Sequence, residues 1–597
     1  MDNKIIKGAE FLIKSADPST IFIPEEWNEE QKMIAATAEE FIVQEIHSRL
    51  DEVDSMNNPA LMPSIVAKAG DLGLLGTSVP EEYGGFGLSF NTSMLLAEKS
   101  GKGFSFGTAF GAHTGIGTLP IVYYGTHEQK LKYLPGLANG KLKTCYCLTE
   151  PNAGSDANSG KTKAVLTEDG KHYLITGQKM WITNGGFADI FIVFAKIGED
   201  KNLSAFIVEK NFGGITVGKE EKKLGIKGSS TVQLFFNNCK VPVENMLSKR
   251  EDGFKIALNI LNIGRIKLAA AVVGGAKMAI TTAVQYAKER KQFGKSITEF
   301  GAIQFKLAQM AILTYACETA SYRAGQCVDD EYQRLKKSGL PEAEAKLKSV
   351  EEYTIECALL KVFGSEALDY VVDEALQIHG GMGYSADLPL EKGYRDARIS
   401  RIYEGTNEIN RLLSIGMLLR RVLKGESQIN LKTEVGKVPG AVLSQLFVPA
   451  PSGFLAYEKH CVANLKHLFL LLTATAGQKL KKHLIDEQEI VMNLADILME
   501  IYVAESVILR VEKLYKVKNM SEDQLKIQIA IAKVFLYEAM MKIQKSGLDA
   551  INSFASGMQS NLLLFALRKL AKVKHINAKQ LRREIAQQMI TEGKYCF

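Results

Sequence analysis

Asp189-Ile-Phe-Ile-Val-Phe-Ala195 is a short, almost unbroken apolar run rich in β-branched and aromatic residues. Between Thr144 and about Val243 it has three companions: His172-Tyr-Leu-Ile-Thr176, Ser204-Ala-Phe-Ile-Val208 and Thr231-Val-Gln-Leu-Phe-Phe236. Clusters of Gly, Asn and Asp separate them, and such runs bounded by turn formers read as strands. They predict a small antiparallel β domain over 144–247. Helical periodicity lies on both sides, predicting an N-terminal helical domain over 28–143 and a helical bundle over 248–425. The first is interrupted by the turn-rich Pro80-Glu-Glu-Tyr-Gly-Gly-Phe-Gly87, and the second contains a Lys- and Glu-rich stretch, Arg334 to Glu352, that reads as an exposed helix pair. Gly436, Pro439, Gly440, Pro449, Pro451 and Gly453 mark 426–455 as a linker. Beyond it, 456–597 reads as an extra C-terminal helical domain. Ile490, Leu494, Ile497, Ile501, Ala504, Ile508 and Val511 form the seam of a packed helix, and Ser521 with Gln524 forms a capping box. Residues 1–27 are an N-terminal extension. The fold class is α+β and multidomain, mostly α. Its order of elements is neither a βαβ array nor a βα barrel.

With 597 residues, 46% of them hydrophobic and 23% charged, the chain can bury several cores. The nearest approach to a membrane span, Leu468 to Ala476, is about half the needed length and carries two threonines. The opening Met-Asp-Asn-Lys-Ile-Ile-Lys-Gly lacks the order of a secretory signal, so a soluble, cytoplasmic protein is expected. Eight cysteines show no metal-ligand spacing, and buried free thiols without a metal are the reading. The formal charge of +6 is uneven, because from Ser444 onward 21 Lys and Arg face 14 Asp and Glu. Arg568, Lys569, Lys572, Lys574, Lys579, Arg582 and Arg583 follow one another without an acid. They form either a solvated helix face or a site for an anionic surface at the inner side of a membrane; no nucleic-acid partner is expected.

Five motifs carry chemistry. Cys147-Leu-Thr-Glu-Pro-Asn-Ala-Gly-Ser-Asp156 and Gly177-Gln-Lys-Met-Trp-Ile-Thr-Asn184 supply hydroxyls at Thr149, Ser155 and Thr183, an open backbone near Gly154, and a stacking face at Trp181. They suit a planar polar cofactor; the plain alternative is a hairpin with a buried tryptophan. Arg290-Lys-Gln-Phe-Gly294 sets a cation beside an aromatic ring, suited to a pyrophosphate, or else a helix end with a solvated arginine. Gln377-Ile-His-Gly-Gly-Met-Gly383 offers backbone amides to a phosphate, or is a helix C-cap and turn, with His379 no catalyst. Some twenty residues later, Arg401-Ile-Tyr-Glu-Gly-Thr406 places Glu404 between an aromatic wall and Gly405, which lets a substrate approach the backbone. A desolvated carboxyl there is a candidate base, although Glu before Gly is also an ordinary helix end.

Over about Asn28 to Lys424 these motifs resemble the acyl-CoA dehydrogenase family. Cys147 to Ser159 fits one family signature, and Gln377 through Asp387, Lys392 and Asp396 fits the second. The resemblance implies a C-terminal four-helix bundle, FAD as cofactor and α,β-desaturation of an acyl-CoA. It implies that Tyr146, Leu148, Thr149, Gly154, Ser155, Trp181, Ile182 and Thr183 line the flavin. Arg290, Gln292, Phe293, Gln377, Gly380 and Gly381 would reach the rest of FAD, often across a subunit interface, and Thr406 and Glu408 complete that shell. Glu404 matches the family base. The other position used by some relatives is Gly264, which carries no carboxylate. Arg265, Asn262, Ser155 and Gly405 are expected near the substrate. Phe300-Gly301 replaces a His-Gln pair that touches FAD in some members.

Gly107, Gly111 and Gly115 recur every fourth residue, forming one bare helix face. In the family this face borders the inner acyl pocket, so glycine implies room for a long chain at Gly111 and Gly115; close helix packing is the other reading. The extra C-terminal unit and Ile260-Leu-Asn-Ile-Gly-Arg265 resemble the very-long-chain branch. That branch implies a homodimer, membrane contact through the extra domain, and electron-transferring flavoprotein as acceptor. An oxidase and an assembly protein on the same body are the competing readings.

Overall fold

A computed structural model describes residues 5–449, 451–517 and 520–597. The β domain comprises β1 (Thr144–Cys147), β2 (Lys163–Leu166), β3 (His172–Thr183), β4 (Ile190–Ile197), β5 (Ser204–Glu209), β6 (Ile215–Glu220), β7 (Thr231–Pro242) and β8 (Met246–Leu247). The sheet order is β6-β7-β3-β2-β4-β5-β8, with β1 also on β4. The unbroken apolar character of β4 follows from its place: every residue but Lys196 is buried, because other strands flank it and both faces are covered. The expected antiparallel domain needs correction here. β1 and β2 each pair with β4 in parallel, Thr144 opposite Ile190 and Lys163 opposite Lys196. Parallel pairing needs a long return connection, which the intervening strands supply.

The N-terminal domain contains the helices Glu29–Glu45, Leu61–Asp71, Phe90–Ser100, Ser105–Gly111, Leu119–Tyr124 and His127–Ala138. The four-helix bundle is Gly253–Glu289, Gly301–Lys337, Thr354–His379 and Asn407–Lys424. Gly253–Glu289 contains an 18-residue window of mean hydropathy 1.6, long and apolar enough for a membrane span, contrary to the expectation from uninterrupted runs. Yet 72% of that window is buried inside the protein, as a central bundle helix requires.

The predicted linker at 426–455 is also corrected, since Leu431–Phe447 is a helix despite Pro439 inside it. It packs on the following helix, Ala456–Leu480, and tertiary contact overrides the local helix breaker. The predicted seam is buried throughout in Gln488–Val517, and the Ser521 capping box opens Glu522–Phe554. Gly557–Leu570 and Ala578–Glu592 complete the unit. Buried ion pairs join it to the bundle: Arg323 with Glu505 at 2.8 Å and Arg510 with Glu318 at 2.9 Å. Residues from the N-terminal extension fill the seam between them, with Phe11 edge-on to Tyr502 and Arg510 paired to Glu25 at 2.8 Å.

Candidate active site

Glu404 lies in the turn between the short helix Arg398–Arg401 and Asn407–Lys424. Both Glu404 (φ 59) and Gly405 (φ 81) are left-handed, a conformation glycine adopts freely and glutamate adopts only under constraint. The constraint is visible. Arg265 Nε donates to the Glu404 carbonyl at 3.0 Å, and Asn410 Nδ2 and Lys361 Nζ donate to the Gly405 carbonyl at 2.7 and 2.8 Å. Lys361 also donates to Asn407 Oδ1 at 2.8 Å, and Thr406 Oγ1 caps the next helix by accepting from Ile409 N.

This turn aims the Glu404 carboxylate at Gly264. A Cβ at 264 would stand 2.6 Å from Oε2 and 2.8 Å from Cδ, so the glycine provides the seat for the carboxylate. Oε2 is buried and has no hydrogen-bond partner among the described residues. Burial pushes the Glu404 pKa up to about 7, against the opposing pull of Arg265 and Lys361. Burial likewise pushes Lys361 down to about 7. The sequence reading did not single out Lys361; its available signal was a cation inside the apolar run Ala358-Leu-Leu-Lys-Val-Phe363.

Glu404 and Tyr403 line a cavity of about 530 Å³, together with Thr183 and Gly264. Gly111 and Gly115 also line it, and among the described residues nothing stands within 4 Å of a Cβ at either. Gly107 differs: its Cβ would meet the Ser100 carbonyl at 2.5 Å, so close packing explains that glycine. The wide turn Ala112–Gly117, a π-helix, then alters the regular spacing. Asn262 and Arg265 are not among the residues that line the cavity. Asn262 Oδ1 accepts from Arg265 Nη1 at 2.8 Å, and Arg265 in turn fixes the Glu404 backbone. Gly405 and Ser155 are likewise outside the lining.

The two β-domain motifs meet where Met180 N donates to the Thr149 carbonyl at 3.0 Å and Lys179 pairs with buried Glu150 at 2.6 Å. A shift in the β3–β7 register between Lys179 and Ile182 allows Trp181 (φ 56) to turn outward, 61% exposed. The buried-tryptophan alternative is thereby removed. Tyr146 and Leu148 are buried, and the Tyr146 hydroxyl has no hydrogen-bond partner among the described residues. Ile182 points into the β core, so only its backbone can face a cofactor. Ser155 is exposed, and Gly154 leaves open space where a Cβ would stand.

Arg290, Gln292 and Phe293 are exposed, as are Gln377, Gly380 and Gly381. The two segments are neighbours, since Tyr286 Oη donates to the His379 carbonyl at 3.2 Å and stacks on its ring. They lie outside the cavity lining, and Glu408 is exposed in the first turn of its helix. Neither Gly380 nor Gly381 has an atom within 4 Å of a Cβ position. An exposed indole, an orphaned phenol and open glycine backbones fit a planar cofactor with a phosphate arm. At Gly301, where a cofactor contact was in doubt, Arg583 Nη2 from the last helix stands 3.0 Å from the Cβ position.

Family models for acyl-CoA dehydrogenase domains match residues 28–141 (N-terminal), 145–239 (middle), 251–418 (C-terminal) and 464–569 (a further C-terminal domain). The chain belongs to the acyl-CoA dehydrogenase family, oxidoreductases acting on CH–CH donors. A probable acyl-CoA dehydrogenase of Bacillus subtilis is 43% identical over 595 residues, covering 99% of this chain and 98% of that protein. The human mitochondrial very long-chain specific enzyme is 38% identical over 474 residues, covering 74% of this chain and 69% of that one. The crystal structure of a Bacillus anthracis acyl-CoA dehydrogenase complexed with FAD superposes with a TM-score of 0.94, at 43% identity, covering 99% of this chain and 100% of that one.

Proposed function

We propose that this acyl-CoA dehydrogenase converts a long-chain acyl-CoA to the trans-2-enoyl-CoA, the opening step of fatty acid β-oxidation, with Glu404 as the base. The observation that carries the reading is the Glu404 carboxylate, which is held over the cavity against Gly264 with an unpartnered buried oxygen.

Glu404 would take the α-proton onto a carboxylate oxygen. Its raised pKa, about 7, makes it a stronger proton acceptor than an exposed glutamate. Arg265 and Lys361 hold the carbonyls of Glu404 and Gly405, so the carboxylate needs little rearrangement to meet the α-carbon. The mainly apolar cavity wall offers few polar groups to compete with the carboxylate for the α-proton. FAD, when bound, supplies the acceptor for the β-hydrogen. Trp181, Thr183, Thr149 and the Gly154 backbone would hold its ring, while the 290–293 and 377–381 segments would hold the remainder, including that of a partner subunit in a homodimer. The space beside Gly111 and Gly115 supports a long chain. Electron-transferring flavoprotein is the proposed acceptor.

Anaerobic addition of palmitoyl-CoA to the yellow holoprotein tests this reading. Bleaching that persists until an acceptor is supplied supports it; absence of bleaching removes it, and rapid recolouring by oxygen alone favours an oxidase.

A further inference from the structure

The Gly253–Glu289 helix turns a stripe toward the cavity that includes Gly264, Lys267, Leu268, Ala271, Val272 and Gly275. Lys267 is the one lysine or arginine among the described residues lining that cavity. Its ammonium donates one long hydrogen bond, 3.5 Å to Ser78 Oγ, and it forms no ion pair among the described residues. Burial pushes it down to about 8, and the two acids that share the cavity lining, Glu404 and Asp396, form no ion pair with it.

The contrast with other cations in this core is informative. Lys277, on the same helix, pairs with Glu98 and Glu318, and Lys361 meets two oxygens. Lys267 has donor capacity to spare and faces the space expected to hold the acyl chain. An alkyl chain passing it can displace water from the ammonium and return nothing, although the lysine stem can lie along the wall. A carboxylate carried by the chain would accept its free N–H groups and restore the missing charge partner. The same carboxylate in a wholly apolar cavity would be strongly disfavoured.

We propose that Lys267 is an anion-receiving site within the acyl cavity, and that the substrates include acyl-CoAs whose chain ends in a carboxylate. The proposal rests on the acyl-CoA reading of this cavity. No redox step is added; Lys267 selects which chains reach Glu404.

The test uses FAD-loaded protein at pH 7 and trans-2-enoyl-CoA ligands, which bind without being oxidised. At each chain length a methyl-ended and a carboxylate-ended ligand are titrated by calorimetry. At the length that places the carboxylate at Lys267, Lys267→Met should weaken the carboxylate-ended ligand relative to the methyl-ended one by about tenfold or more, the scale of one charge-assisted hydrogen bond. Lys267→Arg should retain most of the preference. A relative change below about twofold at every length in a Lys267→Met protein that keeps its flavin spectrum overturns the proposal. Failure of both ligand types to bind wild-type protein overturns the acyl-CoA reading and this proposal with it. Binding of both, with no dependence on Lys267, overturns this proposal alone.

Discussion

At the residue scale, the base and its seat are one feature: Glu404 can face the cavity only because position 264 has no side chain. Lys361 joins the feature through the Gly405 carbonyl and through charge, since its ammonium helps keep Glu404 ionised. The base works only as a carboxylate. Activity should therefore rise as pH climbs through about 7 and level above it. Lys361→Met removes a stabilising cation, so the Glu404 pKa should rise and the acid limb of kcat/KM should move up by about one unit. A pH profile of the flavin-loaded variant checks this, and an unmoved limb would show that Lys361 serves only the backbone. Glu404 was legible because its turn, Tyr-Glu-Gly-Thr, sits in a long ordered motif. Lys361 was not, because it lies 43 residues earlier in the chain and reaches the turn by folding. Asn262's part, which is to orient Arg265 three residues along the same helix, was hidden because only folding brings Arg265 to the Glu404 carbonyl, 139 residues away in the chain.

At the element scale, the Gly557–Leu570 helix keeps Leu563, Ala566 and Leu567 buried and presents Met558, Leu562 and Phe565 outward. Their spacing of four and three makes one exposed apolar face, and the basic segment follows directly. Some of those cations serve inside the fold: Arg582 pairs with Glu538, and Lys574 lies 4.9 Å over the Tyr457 ring. We propose that this surface attaches peripherally to an anionic membrane, through the apolar face as well as the charge. Flotation with vesicles rich in anionic lipid should recover the protein, and Leu562→Asp with Phe565→Asp should sharply reduce recovery. Equal flotation of wild type and variant would place attachment elsewhere. The individual strands and the capping box at Ser521 were readable from local patterns. The parallel pairings of β4 and the helix across Pro439 were not, because non-local pairing and packing decided both.

At the scale of the whole molecule, the extra helical unit is welded to the catalytic bundle. Glu505 receives Arg323 at 2.8 Å and also Lys466, while Arg510 spans Glu318 and Glu25. Breaking one partner of a buried network leaves uncompensated charge, at a cost of about 3–5 kcal/mol. Glu505→Gln should therefore lower the melting temperature while preserving one coincident transition for helix loss and flavin release. Calorimetry alongside flavin fluorescence distinguishes this from two separate transitions, which would show that the units fold independently. The boundary near 426–455 suggested a tether from its glycines and prolines. The charged partners that remove any such freedom are 182 to 485 residues apart in sequence, beyond what composition can reveal.

These scales converge on one carboxylate held over one cavity. The decisive measurement is anaerobic flavin absorbance after mixing palmitoyl-CoA with wild-type and Glu404→Gln proteins, both loaded with FAD. The account predicts rapid bleaching in the wild type and a variant that keeps its yellow spectrum but bleaches at least about a thousandfold more slowly. Bleaching of Glu404→Gln at the wild-type rate would contradict it and place the α-proton base elsewhere.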